Sequence, residues 1–167
     1  DAQTGFGSNY GEHLALLAQA QDANGAASGT SFAAARVTNA AATVVRILSE
    51  KYPNLSSEQK AERLRWIFKI TALDGLGDPS EDAAGRDRFY GDGLLDAEGA
   101  AACAASDGLL ARPGAVGFNA IKVGDAAEFG LRLTNCSPDD TMTLPVSGLT
   151  IRNTTANTAD MADFTLP

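Results

Sequence analysis

The stretch SGTSFAAARV, Ser28 to Val37, decides how the rest of the chain is read. It sets Gly-Thr-Ser directly before an alanine run, where a loop gives way to a helix. Two readings compete there. In one, Thr30 or Ser31 caps an Ala-rich helix, its hydroxyl accepting an amide hydrogen that the first turn leaves without a partner. In the other, Ser31 is a nucleophile. The positive end of the helix dipole favours negative charge beside it. The serine's own amide can donate to an oxyanion forming on an attacked carbonyl. Gly29 would admit a substrate closely, and Ala33, Ala34 and Ala35 would let the helix bury tightly behind the hydroxyl. Such a serine needs a general base, normally a histidine held by a carboxylate. The only histidine is His13. It sits at the edge of a strand-like run and reads as a surface or strand-edge residue, so the stretch offers a nucleophile without its base.

Outward from Ser31, a helix is expected to about Glu50, with Val37, Ala41, Val44, Val45 and Leu48 at helical spacing. Its many alanines widen the apolar face, which suggests a helix packed against neighbouring backbone deep inside a larger body. Upstream, HLALLA (His13–Ala18) reads as a short strand buried on both faces, followed by the loop Gln19–Thr30. Downstream, Ser56 and Gln59 have capping-box spacing, and Ala61, Leu64, Phe68 and Thr71 line a second helix running to about Leu73. A polar loop, a Gly-bounded turn and a short helix from about Asp96 follow. Composition changes near residue 108. The strand-like runs GFNAIKV, AAEFGLRLTN, TMTLPVSGLTIRN and ADFTL then point to an antiparallel sandwich of the immunoglobulin kind, short by several strands. Two domains are therefore expected, 1–108 and 109–167.

The chain has 167 residues, 44% of them hydrophobic, with a formal net charge of −8. That is enough apolar content for a core. The acidic balance argues against nucleic acid and against anionic membranes as partners. No apolar run is long enough to span a bilayer. Cys103 and Cys136 are the only cysteines; they form one disulfide in an oxidising compartment or stay as two buried thiols, and sequence leaves both open. No Cys/His cluster has zinc-ligand spacing, and no metal-ligating residue is singled out. The acidic loop Gly77–Asp87 raises the question of calcium. It lacks the alternating ligands of a dedicated calcium loop and reads first as a solvated surface loop.

GTSFAAARV resembles the serine motif of the subtilisin-like proteases, Gly-Thr-Ser-Met-Ala-Ala/Ser-Pro-x-Val-Ala-Gly. Gly29, Thr30, Ser31, Ala33, Ala34 and Val37 match, with Phe32 at the Met position. Ala35 replaces the usual Pro and Asn39 the closing Gly. FGSNYGEHLALLA is similar to the strand segment that precedes the serine in that family, without its Pro-Gly and with a shortened loop. VVRILSEKYPNLSSEQKAERLRWIFKITALDGLG resembles the helix, turn and helix that follow. FYGDGLLDAEGAA, Phe89–Ala101, resembles the family's closing Tyr-Gly-x-Gly-Leu-x-Asp-Ala segment. The four segments are collinear over about residues 5–105. The tail, with Val116, Phe118, Val123, Gly124, Leu133, Thr134, Asn135, Asp163 and Phe164, resembles immunoglobulin-like repeats of the abnormal-spindle/hydin type.

The resemblance implies an α/β fold: the C-terminal part of a three-layer subtilisin-like domain, followed by a partial β-sandwich. It implies a serine endopeptidase with catalytic order Asp, His, Ser, whose Asp, His and oxyanion-hole Asn lie N-terminal to Asp1. Ser31 is the catalytic residue carried over. Ser28, Gly29 and Thr30 shape the turn and line the cleft for a polypeptide substrate. The partner implied is the preceding part of the protease domain, the location secreted or cell-surface of the bacterial type, and no cofactor is implied beyond the calcium that loops of this family sometimes bind. The chain alone is expected to be inactive. The alternatives are a pseudoprotease serving as a binding module, and a small α+β fold in which Ser31 is only a cap.

Overall fold

The computed structural model describes residues 9–21, 24–75, 77–78, 80–106, 108–113 and 130–138. Helix α1 spans Thr30–Lys51 and α2 spans Ser57–Thr71, joined by the Tyr52–Ser56 turn. Ser56 begins α2 with a complete capping box: its hydroxyl accepts from the Gln59 amide at 3.2 Å, and the Gln59 side chain accepts from the Ser56 amide at 2.8 Å. Helix α3, Ala97–Ala105, starts at Asp96, whose Oδ1 accepts from the Gly99 amide at 2.8 Å. Strands β1, Leu109–Arg112, and β2, Arg132–Asn135, form an antiparallel ribbon in which Leu110 faces Thr134 and Arg112 faces Arg132.

The core lies among the three helices. Ala40, Val44 and Leu48 form one row four residues apart on α1, and they meet Ile67 and Phe68 of α2 and Ala100, Cys103 and Ala104 of α3. Val44 and Leu48 are at most 1% exposed, so each burial contributes about 1.5–3 kcal/mol. The buried row lies beside the expected one: Val37 and Ala41 pack at its margin rather than at its centre. Thr71, the buried polar residue among the described ones, turns its hydroxyl back to the Ile67 carbonyl at 2.8 Å. Lys51 closes the bundle by donating from the last turn of α1 to the carbonyls of Ala105 and Ser106, at 3.0 and 2.5 Å.

The N-terminal segment is not the buried strand expected for HLALLA. Leu14, Leu16, Leu17 and Ala18 are half-buried, and the pairing amounts to a single parallel bridge, Leu17 with Leu94. The Leu17 amide donates to the Gly93 carbonyl at 2.9 Å, and the Leu95 amide donates to the Leu17 carbonyl at 2.7 Å. The partner strip explains why the ladder stops. Gly91 and Gly93 hold φ +65° and +107° there, which break an extended strand. On its other side Leu94 exchanges two 2.8 Å bonds with Leu73, just past α2. Residues 91–95 are therefore a joint between the N-terminal segment and the end of α2.

Cys103 and Cys136 form a disulfide, Cα–Cα 5.3 Å, which settles the choice that sequence left open. Closing a loop across a sequence separation of 33 is worth about 3–4 kcal/mol by chain entropy. Of the runs read as sandwich strands, GFNAIKV, TMTLPVSGLTIRN and ADFTL lie outside the described residues. The end of AAEFGLRLTN is β2, and its partner β1 comes from LLAR, which was not among the expected strands. Among the described residues no helix is long and apolar enough to cross a membrane.

Candidate functional site

The turn before α1 is closed by backbone pairing. Gln21 bridges Ser28 in antiparallel fashion, and the Gly29 amide donates to the Ala20 carbonyl at 2.8 Å. Arg36, on the second turn of α1, donates from Nη2 to the Gln21 carbonyl at 2.9 Å. The guanidinium thus ties the Gln21–Ser28 loop to the helix that the loop introduces. Arg36 was not singled out in the sequence; the available signal was a lone cation in an alanine-rich run. Replacing Arg36 with Ala is expected to speed proteolytic nicking within residues 21–28 several-fold while leaving the melting midpoint within a degree or two, because the bond is exposed. Timed digestion followed by mass spectrometry checks this.

The helix begins differently from the capping reading. Its N-cap is Gly29, with extended backbone (φ 169°), and no side chain makes a cap hydrogen bond. Thr30 and Ser31 fall inside the first turn, and both are exposed. The Ser31 hydroxyl makes no hydrogen bond among the described residues, so it is not spent on the helix. First-turn amides have no acceptor within the helix, and the macrodipole places partial positive charge there. Ser28 is exposed, and a Cβ placed on Gly29 would meet nothing within 4 Å. Ser28, Gly29, Thr30 and Ser31 therefore stand together on one open turn. An extended chain can approach that turn without meeting a side chain at Gly29.

What the turn lacks is a base. His13 is exposed, and among the described residues no His, Asp or Glu side chain hydrogen-bonds to Ser31. Nothing there removes the hydroxyl proton. The first half of α1 is also uncovered. Ser31, Phe32, Ala34 and Ala35 are exposed, Phe32 by 38%. The burial expected of this helix begins only at Ala40.

Two open cavities lie elsewhere. One, of about 320 Å³, is bordered by Lys69, Asp74, Arg86, Asp92 and Arg132. The other, of about 330 Å³, lies where α2 and α3 meet the ribbon, bordered by Asp96, Leu110, Arg112 and Thr134. Neither includes Ser31. In the acidic loop the carboxylates serve the backbone. Asp82 accepts from the Gly77 amide at 2.5 Å, Asp74 from Gly85 at 2.6 Å, and Asp87 from Phe89 and Tyr90, both at 2.7 Å. The Ser80 amide and hydroxyl hold the Asp78 carboxyl below the usual carboxylate range. Among the described residues no group of three or more His, Cys, Asp or Glu side chains is placed to hold a metal ion. No protein-family model, no curated protein and no solved structure matches the chain.

Proposed function

We propose that this chain carries the nucleophile of a subtilisin-like serine endopeptidase, with Ser31 attacking a peptide carbonyl. The observation that carries the reading is the unspent Ser31 hydroxyl on an exposed first turn beside the open Gly29. In this reading Ser31 Oγ adds to the carbonyl carbon of a polypeptide lying along Ser28–Gly29. The Ser31 amide donates to the resulting oxyanion. Collapse expels the amine and leaves an acyl-enzyme, which water then hydrolyses. The Asp, His and oxyanion-hole Asn that complete the reaction come from sequence preceding Asp1.

Two further observations support the reading. Leu14–Leu17 and Asp92–Leu95, distant in sequence, lie side by side, so the first and last of the segments that carry the resemblance belong to one body. The Cys103–Cys136 disulfide suits a secreted or cell-surface location, where thiols are oxidised. The competing reading, a pseudoprotease that displays α1 as a binding surface, draws on the uncovered Phe32, Ala34 and Ala35.

A fluorophosphonate probe separates the two. The 167-residue chain alone is expected to stay unlabelled, because its single histidine, His13, is exposed and among the described residues no side chain accepts the Ser31 proton. A polypeptide that adds the preceding residues is expected to label stoichiometrically at Ser31. Labelling at a different serine would show that the nucleophile was misassigned. No labelling, in a polypeptide shown to be folded, would favour the binding module.

A further inference from the structure

We infer that the Cys103–Cys136 disulfide, Arg132 and Arg112 form a strap that makes ribbon β1–β2 and the three helices one cooperative folding unit, so that closing the disulfide fixes α3 and, through it, α1. The attachment crosses the change of composition near residue 108, where sequence suggests two separate bodies.

Three kinds of contact hold the ribbon down. The register places Arg112 opposite Arg132, on one face of the ribbon. Arg132 donates to the Ala72 and Ile70 carbonyls, at 2.9 and 3.2 Å, so a cation sits at the negative end of α2. Arg112 pairs with Asp96, the residue that caps α3, and reaches Glu98 at 3.6 Å. Gly99 makes room for this pair: a Cβ there would strike both Asp96 Oδ2 and Arg112 Nη1. The third contact is covalent, from the last turn of α3 to the residue just after β2, where the Cys136 amide also donates to the Gly108 carbonyl at 2.8 Å.

The relative weight of these contacts makes the disulfide decisive. Among the described residues the ribbon has two strands, and two strands by themselves are marginal in water; partly exposed ion pairs are individually weak. Among the described residues the opposite ribbon face has no core of its own, since Leu109 and Leu133 are each 38% exposed. Cys103, by contrast, is 1% exposed and lies within the cluster of Val44, Leu48 and Ala100. Cys136 is 5% exposed. With both cysteines this deeply buried, attack by a thiol from solvent is slow, so the bond acts as a lasting strap rather than a switch. Its closure passes two electrons and two protons from the two thiols to an exchanging small-molecule or protein disulfide, which leaves as two thiols.

Hydrogen exchange on the full chain tests the strap without any measure of activity. In the oxidised protein the ribbon amides are expected to exchange with the same protection as the buried turns of α1 and α3. They should also lose it at the same guanidinium concentration. In Cys103→Ser/Cys136→Ser, and in the wild-type chain kept reduced, ribbon and α3 amides are both expected to exchange at least tenfold faster. The reduced wild type nearly preserves the volume of both side chains, so it separates loss of the strap from loss of packing. Collapse of both forms to unprotected chains would equally support the strap. It is overturned if the oxidised ribbon exchanges tenfold faster than α3. It is also overturned if α3 in the reduced wild type stays within twofold of the oxidised protein.

Discussion

With Ser31 as the proposed nucleophile, Ser31→Ala in a polypeptide extended by the proposed preceding protease segments is expected to remove peptide hydrolysis, with kcat falling on the order of 10⁶-fold, the magnitude known for the triad serine of a subtilisin itself. KM changes little, since the hydroxyl adds to the carbonyl only after binding. Stability distinguishes this outcome from the capping alternative. A serine that caps a helix loses about 1 kcal/mol when it becomes alanine. Ser31 does not cap the helix: the N-cap is Gly29, and among the described residues no side-chain cap hydrogen bond forms there. Alanine is also the better helix former at an exposed position. The variant is therefore expected to melt at or slightly above the wild-type temperature while losing turnover. Retained turnover would show that another residue is the nucleophile. A melting point several degrees lower would show that the hydroxyl holds the helix start.

How far the sequence carries depends on the range of the forces involved. Local signals were legible. The helix expected from Ser31 to Glu50 runs Thr30–Lys51, the Ser56–Gln59 box forms in full, and Asp96 starts α3. Each depends on residues within four positions of one another, where spacing and chemistry suffice. What failed depends on distant partners. HLALLA has the composition of a strand, but its partner strip carries two glycines at positive φ, so pairing stops after one bridge. The disulfide was undecidable because its Cα–Cα distance is set by how β2 docks on α3. The roles of Arg112 and Arg132 were invisible for the same reason: their partners lie 16 and 60 residues away. At the candidate site the Gly-Thr-Ser stretch and the single histidine were readable. Whether Ser31 was free or spent as a cap was not, since adjacent Gly, Thr and Ser can all occupy an N-cap and only the backbone decides among them.

Gly93→Ala is expected to be the most damaging single methyl in the helical body. Gly93 is buried with φ +107°, a region that side-chain-bearing residues rarely adopt. An added Cβ would also strike the Leu73 carbonyl oxygen, a backbone atom that cannot rotate away. Moving it breaks the Leu73–Leu94 pair, two bonds of 2.8 Å each, and tilts the Gly93 carbonyl that accepts from Leu17. Backbone strain of about 1–3 kcal/mol and roughly 1 kcal/mol for each of the two Leu73–Leu94 bonds give a loss of about 3–5 kcal/mol, enough to unfold much of the population of a marginal domain. Gly85→Ala supplies the comparison. Gly85 also has positive φ, +88°, but nothing lies within 4 Å of its added Cβ. It therefore isolates the conformational cost, about 1 kcal/mol. Guanidinium denaturation of both variants measures the difference. A large gap, with Gly93→Ala the less stable, locates the damage in the joint that binds the N-terminal segment to the end of α2. Equal losses would mean that φ alone matters, and that the contact with Leu73 relaxes freely.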